Sequence, residues 1–269
     1  MQKAIRWGLL AVIVTAAVVV FAQTVAQQER EDVLVLCGGS MRQALEDCVE
    51  RYKKNSELTV APTYGGSGDL AAQLRETGRG DLYIAHDPWA SWAEDKDLIT
   101  EYGTLAYVDL SLVVPKDNPH NITSLKDLTQ DGIRLGVGDP EYSTSGVIFN
   151  YLVNNVSYGE EIEKNIKKTG HGHQKRCTEV SMGSLDAGIV WNAAAHLFRD
   201  KLKSFPVPKE PLDAVTSATF GKTDLANIRV TVAVTNPGSD NQAARDFYNF
   251  MLNECRDIFE KHGFRPVEE

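Results

Sequence analysis

The chain of 269 residues carries no block of basic residues. Its 28 lysines and arginines face 37 aspartates and glutamates, a formal charge of −9. That balance argues against nucleic acid or anionic membrane surfaces as partners, and net charge will not recruit an anion. Apolar runs of membrane-spanning length are also missing: the apolar stretch Trp7–Ala22, which ends at the polar Gln23, holds 16 residues, short of the ~18–20 that cross a bilayer comfortably. Cysteine is scarce. The four present (Cys37, Cys48, Cys177, Cys255) include none just after the apolar stretch, which excludes the pattern of a lipid-anchored lipoprotein. There is no repeat of 20–50 residues, and so no solenoid, and no low-complexity tract.

What is present begins with an address. Lys3 and Arg6, the short apolar run and small residues at Ala22 and Ala26 describe a secretory signal over residues 1–26. An uncleaved anchor helix is the alternative. Removing the two positive charges with the signal takes the formal charge from −9 to −11. In an oxidising compartment four cysteines permit three complete pairings, and the sequence does not choose among them.

From Val33 onward, short apolar runs alternate with helical spacing, the mark of α/β architecture with mostly parallel sheets flanked by helices. Val33–Leu36, Leu58–Ala61, Asp81–Ala85, Arg134–Val137, Ala187–Trp191 and Val230–Val234 read as strands. Leu105–Pro115 reads as a longer β-rich run. Met41, Leu45, Cys48, Val49 and Tyr52 share a helix face, as do Ala244, Phe247, Phe250 and Met251. The order suits two lobes: residues 33–113 with 230–269, and residues 116–227. Two crossings, near Val113–Lys116 and Asn227–Val230, would form a hinge.

Four strand-to-helix turns are rich in serine and glycine: around Ser40, Ser67 and Ser145, and before Val180. A helix start leaves backbone N–H groups unpaired and carries partial positive charge. Several starts converging on one point hold an anion without lysine or arginine. For any one turn, the ordinary reading is a serine capping its own helix.

Taken together these segments resemble a family. LVLCGGSMRQAL (Leu34–Leu45), YGGSGDLAAQL (Tyr64–Leu74), DLYIAHD (Asp81–Asp87), GDPEYSTSG (Gly138–Gly146), GSLDAGIVWNAAA (Gly183–Ala195) and IFEKHGFRP (Ile258–Pro266) are similar, in order, to the molybdate/tungstate-binding proteins of bacterial ABC importers. The resemblance implies a two-lobed type II periplasmic-binding-protein fold, a monomer that takes molybdate or tungstate between its lobes and hands it to an ABC permease. It implies no cofactor and no catalysis. It places hydroxyl and backbone donors at Ser40 and Ser67, and backbone donors at Ser145 and, on an ungapped count, at His173. A ligand-contacting tyrosine of the family falls on Trp191, whose indole N–H can still donate; a packed aromatic at the lobe interface is the alternative role.

Two other chemistries compete. Cys37, His171, His173 and Cys177 could form a four-ligand zinc- or copper-type site, against the reading of His171 and His173 as part of a solvated loop. Cys37 at a strand end could be a nucleophile, but no local motif supports this, and a small buried thiol is the expectation. Asp81, Asp87, Asp139 and Asp186 are expected as caps and turn formers rather than catalytic carboxylates.

Overall fold

A computed structural model describes residues 32–141, 143–170, 172–209, 214–217 and 221–268. The expected signal, residues 1–26, and His171 lie outside the described residues.

The first lobe is built on a sheet of β1 (Val33–Gly38), β2 (Val60–Gly65), β3 (Leu82–His86), β4 (Ile99–Val108) and β12 (Ile228–Thr235), in the order β2-β1-β3-β12-β4. The apolar run of β1 is almost wholly buried, because helices cover both sheet faces there; β2, at the edge, is half-exposed. Helices α1 (Arg42–Tyr52), α2 (Ser67–Thr77), α3 (Trp89–Asp95), α8 (Gln242–Glu254) and α9 (Arg256–Lys261) flank it. On α8, Ala244, Phe247, Tyr248 and Met251 fall on one buried face, each large apolar side chain contributing about 1.5–3 kcal/mol through burial.

The second lobe repeats the plan with β5 (Leu110–Pro115), β6 (Leu135–Val137), β7 (Ile166–Thr169), β8 (Ala187–Trp191) and β9 (Leu202–Pro206), in the order β7-β6-β8-β5-β9. Its helices are α4 (Thr144–Asn154), α5 (Gly159–Lys164), α6 (His173–Ser181) and α7 (Asn192–Leu197). A hairpin of β10 (Ala214–Ser217) and β11 (Gly221–Asp224) precedes the return to the first lobe.

In each five-stranded sheet four strands run in the same direction and one is reversed. The reversed strand is the one that has just crossed over: β5 enters the second sheet antiparallel to β8, and β12 enters the first antiparallel to β3 and β4. The β-rich run expected over Leu105–Pro115 therefore divides at Asp109 and serves both sheets. Leu110–Val113, expected in the first lobe, pair in the second, so the crossing falls at Asp109 and not at Val113–Lys116. Hydropathy is continuous across Asp109, and only pairing partners reveal the break.

All four cysteines are buried thiols. Cys37 lies within β1, and Cys177 lies on α6 in the core of the other lobe, its Sγ near the Ala194 carbonyl at 3.8 Å. Cys48 on α1 and Cys255, between α8 and α9, instead neighbour each other, and the proximity of Cys255 together with burial pushes the Cys48 thiol far up. Arg51 clamps the same junction through Asp257, with two contacts of 2.7 Å.

Candidate functional site

A cleft of about 1150 Å³ opens between the lobes. Its walls carry the carboxyl ends of the parallel strands and the turns that follow, the usual ligand position in open α/β sheets. The lobes touch beside it: Thr144 Oγ1 donates to the Asp87 carbonyl at 3.2 Å.

The four turns meet here. Ser40, Ser67, Ser143 with Thr144, and His173 all line the cleft. Local sequence explains why their amides are left for something else. The residues in the cap positions are Gly38, Gly66, Ser143 and Gly172, and none makes a side-chain cap hydrogen bond. Glycine has no side chain to offer, and the Ser143 hydroxyl is engaged with Ser145 Oγ at 2.8 Å. The first backbone bonds run from Arg42, Leu70, Val147 and Arg176 back to Gly39, Gly66, Ser143 and Gly172. The amides of Gly39–Met41, Ser67–Asp69, Thr144–Gly146 and His173–Lys175 precede them, the orphan donors of each helix start. Ser40 and Ser67 sit inside the turns rather than at the caps, and among the described residues neither hydroxyl has a protein partner. The self-capping role does not apply to them.

Ser145 differs. Its side chain is 1% exposed and turned onto Ser143 and Gly138, leaving its backbone amide, at the second position of α4, as the group it can contribute. Gly146 follows because α4 starts hard against the preceding loop: a Cβ there would lie 2.5 Å from the Asp139 carbonyl.

Trp191 does not line the cleft. It is 1% exposed and packs at the lobe junction, its ring centroid 5.5 Å from His86 and 5.4 Å from His173. Its Nε1 is buried without a hydrogen-bond partner among the described residues. The larger indole fills the space behind the two imidazoles.

The cation cluster weighed as an alternative is not assembled. Cys37 and Cys177 are in the cores of opposite lobes, and among the described residues no group of three His, Cys, Asp or Glu side chains could hold a metal. Burial pushes the Cys37 thiol far up and the Cys177 thiol up to about 12, which also removes Cys37 as a nucleophile. The four aspartates are structural. Asp81 accepts from Leu34 N–H at 2.7 Å and Asp139 from Glu141 N–H at 2.9 Å. Asp87 forms a bidentate pair with Arg229, and Asp186 with Arg134.

Two residues, His86 and Arg176, escaped sequence reasoning, whereas His173 was expected at the site. His86 and His173 face the cleft as half-buried imidazoles, both held below the usual histidine range. Burial is the main cause for each; Arg176 and His86 lower His173 further, while contact with Asp87 partly restores His86. The second residue missed is Arg176 on α6. Its buried guanidinium donates to the carbonyls of Ile189 (3.0 Å), Val137 (2.6 Å) and Gly170 (2.7 Å), tying α6 to the middle of β8, the end of β6 and the loop after β7. Burial lowers it to about 10. It sits one turn behind the His173 amide, so it sets the position of that helix start. An arginine on a polar helix reads as solvated; only the three carbonyls show otherwise.

The cleft's own charges cancel. Arg42, Arg199 and Lys261 stand against Asp69, Glu141 and Asp200, and Arg42 and Lys261 are engaged by Glu46 and Asp47. What remains is a ring of neutral donors from both halves.

Two reversed-strand lobes with helix starts facing a shared cleft define a two-lobed solute receptor of the type II periplasmic-binding-protein class. The chain belongs to the bacterial extracellular solute-binding protein family, whose profile matches residues 33–265. It is 25% identical to the molybdate-binding protein ModA of Escherichia coli over 245 residues, 86% of this chain and 88% of that one. Its fold is similar to the periplasmic molybdate-binding protein of Azotobacter vinelandii (TM-score 0.70, 15% identity, 88% of this chain and all of the other). It is likewise similar to the Campylobacter jejuni protein PEB3 bound to L-phospholactate (TM-score 0.69, 18% identity, 87% of this chain and all of the other).

Proposed function

We propose that the chain is a periplasmic receptor that closes its two lobes around a tetrahedral oxyanion, molybdate or tungstate, and delivers it as a monomer to an ABC permease. Residues 1–26 would be its export signal. One observation carries the reading: four helix starts, none with a side-chain cap bond, bring amides and the free hydroxyls of Ser40 and Ser67 to one cleft whose formal charges cancel. Charge-assisted hydrogen bonds contribute roughly 1.5–3 kcal/mol each. Five to seven of them support micromolar or tighter binding after ordering costs. The likeness to ModA supports molybdate in particular. Binding and release require no catalytic group.

A second reading is favoured by the cleft's size. About 1150 Å³ exceeds one tetrahedral anion several-fold, and a fold neighbour holds L-phospholactate; an organic phosphate would use the same amides for its phosphoryl group. Thermal shift with molybdate, tungstate, sulfate, phosphate and phospholactate in parallel separates the two. A ligand at ~100 times its dissociation constant adds about 2.7 kcal/mol of stability. Stabilisation by molybdate and tungstate but not by phospholactate supports the first reading; the reverse supports the second. No shift with any of the five rejects both.

A further inference from the structure

Beside the cleft's orphan donors stands an imidazole that can accept. His86 ends β3, and its Nδ1 lies 2.9 Å from the Asp87 carbonyl oxygen. A carbonyl only accepts, so Nδ1 carries the proton and Nε2 of the neutral ring holds a bare lone pair. His173, opening α6 in the other lobe, has the opposite tautomer. The Trp191 backbone N–H donates to its Nδ1 at 3.3 Å, so its Nε2 carries hydrogen and can donate. Both rings line the cleft and pack against the Trp191 indole, which fixes their planes.

The charged surroundings of His86 are defined. Asp87 adjoins it, but that carboxylate is committed to Arg229 of β12 at 2.8 and 2.9 Å. His173 faces it from α6, with the buried Arg176 guanidinium one turn behind. Among the described residues no protein group pairs with His86 Nε2. A fully deprotonated oxyanion brought against that lone pair meets repulsion, whereas the same nitrogen, once protonated, becomes a charge-assisted donor.

We propose that His86 makes anion binding proton-linked: a tetrahedral dianion enters the cleft together with one proton taken from solvent onto Nε2, whereas a hydrogen-oxyanion donates its own proton to that lone pair and binds without uptake. The inference rests on the oxyanion reading of the cleft. In the first case a neutral imidazole, one proton and the dianion become an imidazolium–dianion pair. In the second, the proton stays on the ligand and is shared in an O–H···N hydrogen bond. His86 would then rank anions by protonation state as well as size.

Titration calorimetry of the whole protein, run in buffers of different ionisation heat at a pH of about 8, counts the protons directly, since linkage equates proton uptake with the slope of log affinity against pH. Molybdate should bind with uptake of about one proton and lose up to tenfold in affinity per pH unit above neutrality. Phosphate, largely monohydrogen at that pH, should bind with uptake near zero. His86→Gln, whose amide donates without a proton, should bring the molybdate uptake to near zero and flatten its pH profile. Molybdate binding to the native protein with no uptake overturns the proposal, as does full uptake persisting in His86→Gln. If no oxyanion produces heat or a thermal shift, the oxyanion reading fails, and the proposal with it.

Discussion

Replacing Ser67 by alanine isolates a single donor. Ser67 opens α2, and its backbone carbonyl accepts from the Tyr83 hydroxyl at 2.7 Å, a bond alanine keeps. Its own hydroxyl has no partner among the described residues, so Ser67→Ala leaves no protein group unsatisfied and creates a void of one oxygen atom. The unliganded protein should therefore melt within a degree or two of the native one. The liganded state loses a hydrogen bond to an anion, about 1.5–3 kcal/mol, equivalent to a dissociation constant raised roughly 10- to 150-fold. Calorimetric titration with molybdate reads the affinity, and the melting temperature without ligand reads the fold. Ser145→Ala is the internal contrast: its hydroxyl bonds Ser143, so alanine there should cost about 1 kcal/mol of stability and leave affinity nearly unchanged, because the amide remains. Saturable binding with unaltered affinity in Ser67→Ala would refute the reasoning.

Other outcomes follow from the same structure. Arg176→Met should destabilise the protein by about 3 kcal/mol, seen as a lower urea midpoint, because three carbonyls, in β8, at the end of β6 and in the loop after β7, lose their donor. Gly146→Ala should weaken both stability and anion affinity, the former by about 1–3 kcal/mol, since its Cβ would lie 2.5 Å from the Asp139 backbone; crystallography or binding data showing an undisturbed α4 start would contradict this. Asp186 is held below the usual carboxylate range chiefly by its hydrogen bond from Arg134, against the opposing effect of burial. Its stabilisation is therefore complete above the unfolded value of about 3.9 and lost as pH falls through the folded one. Asp186→Asn should lower the urea midpoint near neutrality, and the gap should close only at pH values below the depressed folded value of Asp186.

Much of this was legible in the chain. Buried strands such as β1 and β8 announce themselves as short apolar runs, because helices cover both faces of their sheets. Glycine and serine after those strands mark tight turns, and α/β order places the turns at one end of each sheet. From local spacing alone, Ser40 and Ser67 could be assigned to the same kind of turn, and family likeness supplied the expectation that they share a ligand.

The remainder depended on contacts between residues far apart in sequence. That Asp109, and not the stretch near Val113, divides the lobes is decided by which strands Leu110–Val113 pair with. Trp191 withdraws behind two histidines because they arrive from different lobes. Cys37 and Cys177, plausible partners on paper, are held apart by separate cores, whereas Cys48 and Cys255, 207 positions apart in the chain, come together through helix packing. The tautomers of His86 and His173 follow from single hydrogen bonds to backbone atoms. Residue order determines the local elements, since sterics and burial act over a few positions; the polarity of the cleft is a tertiary property, since it depends on where the two sheets direct their turns.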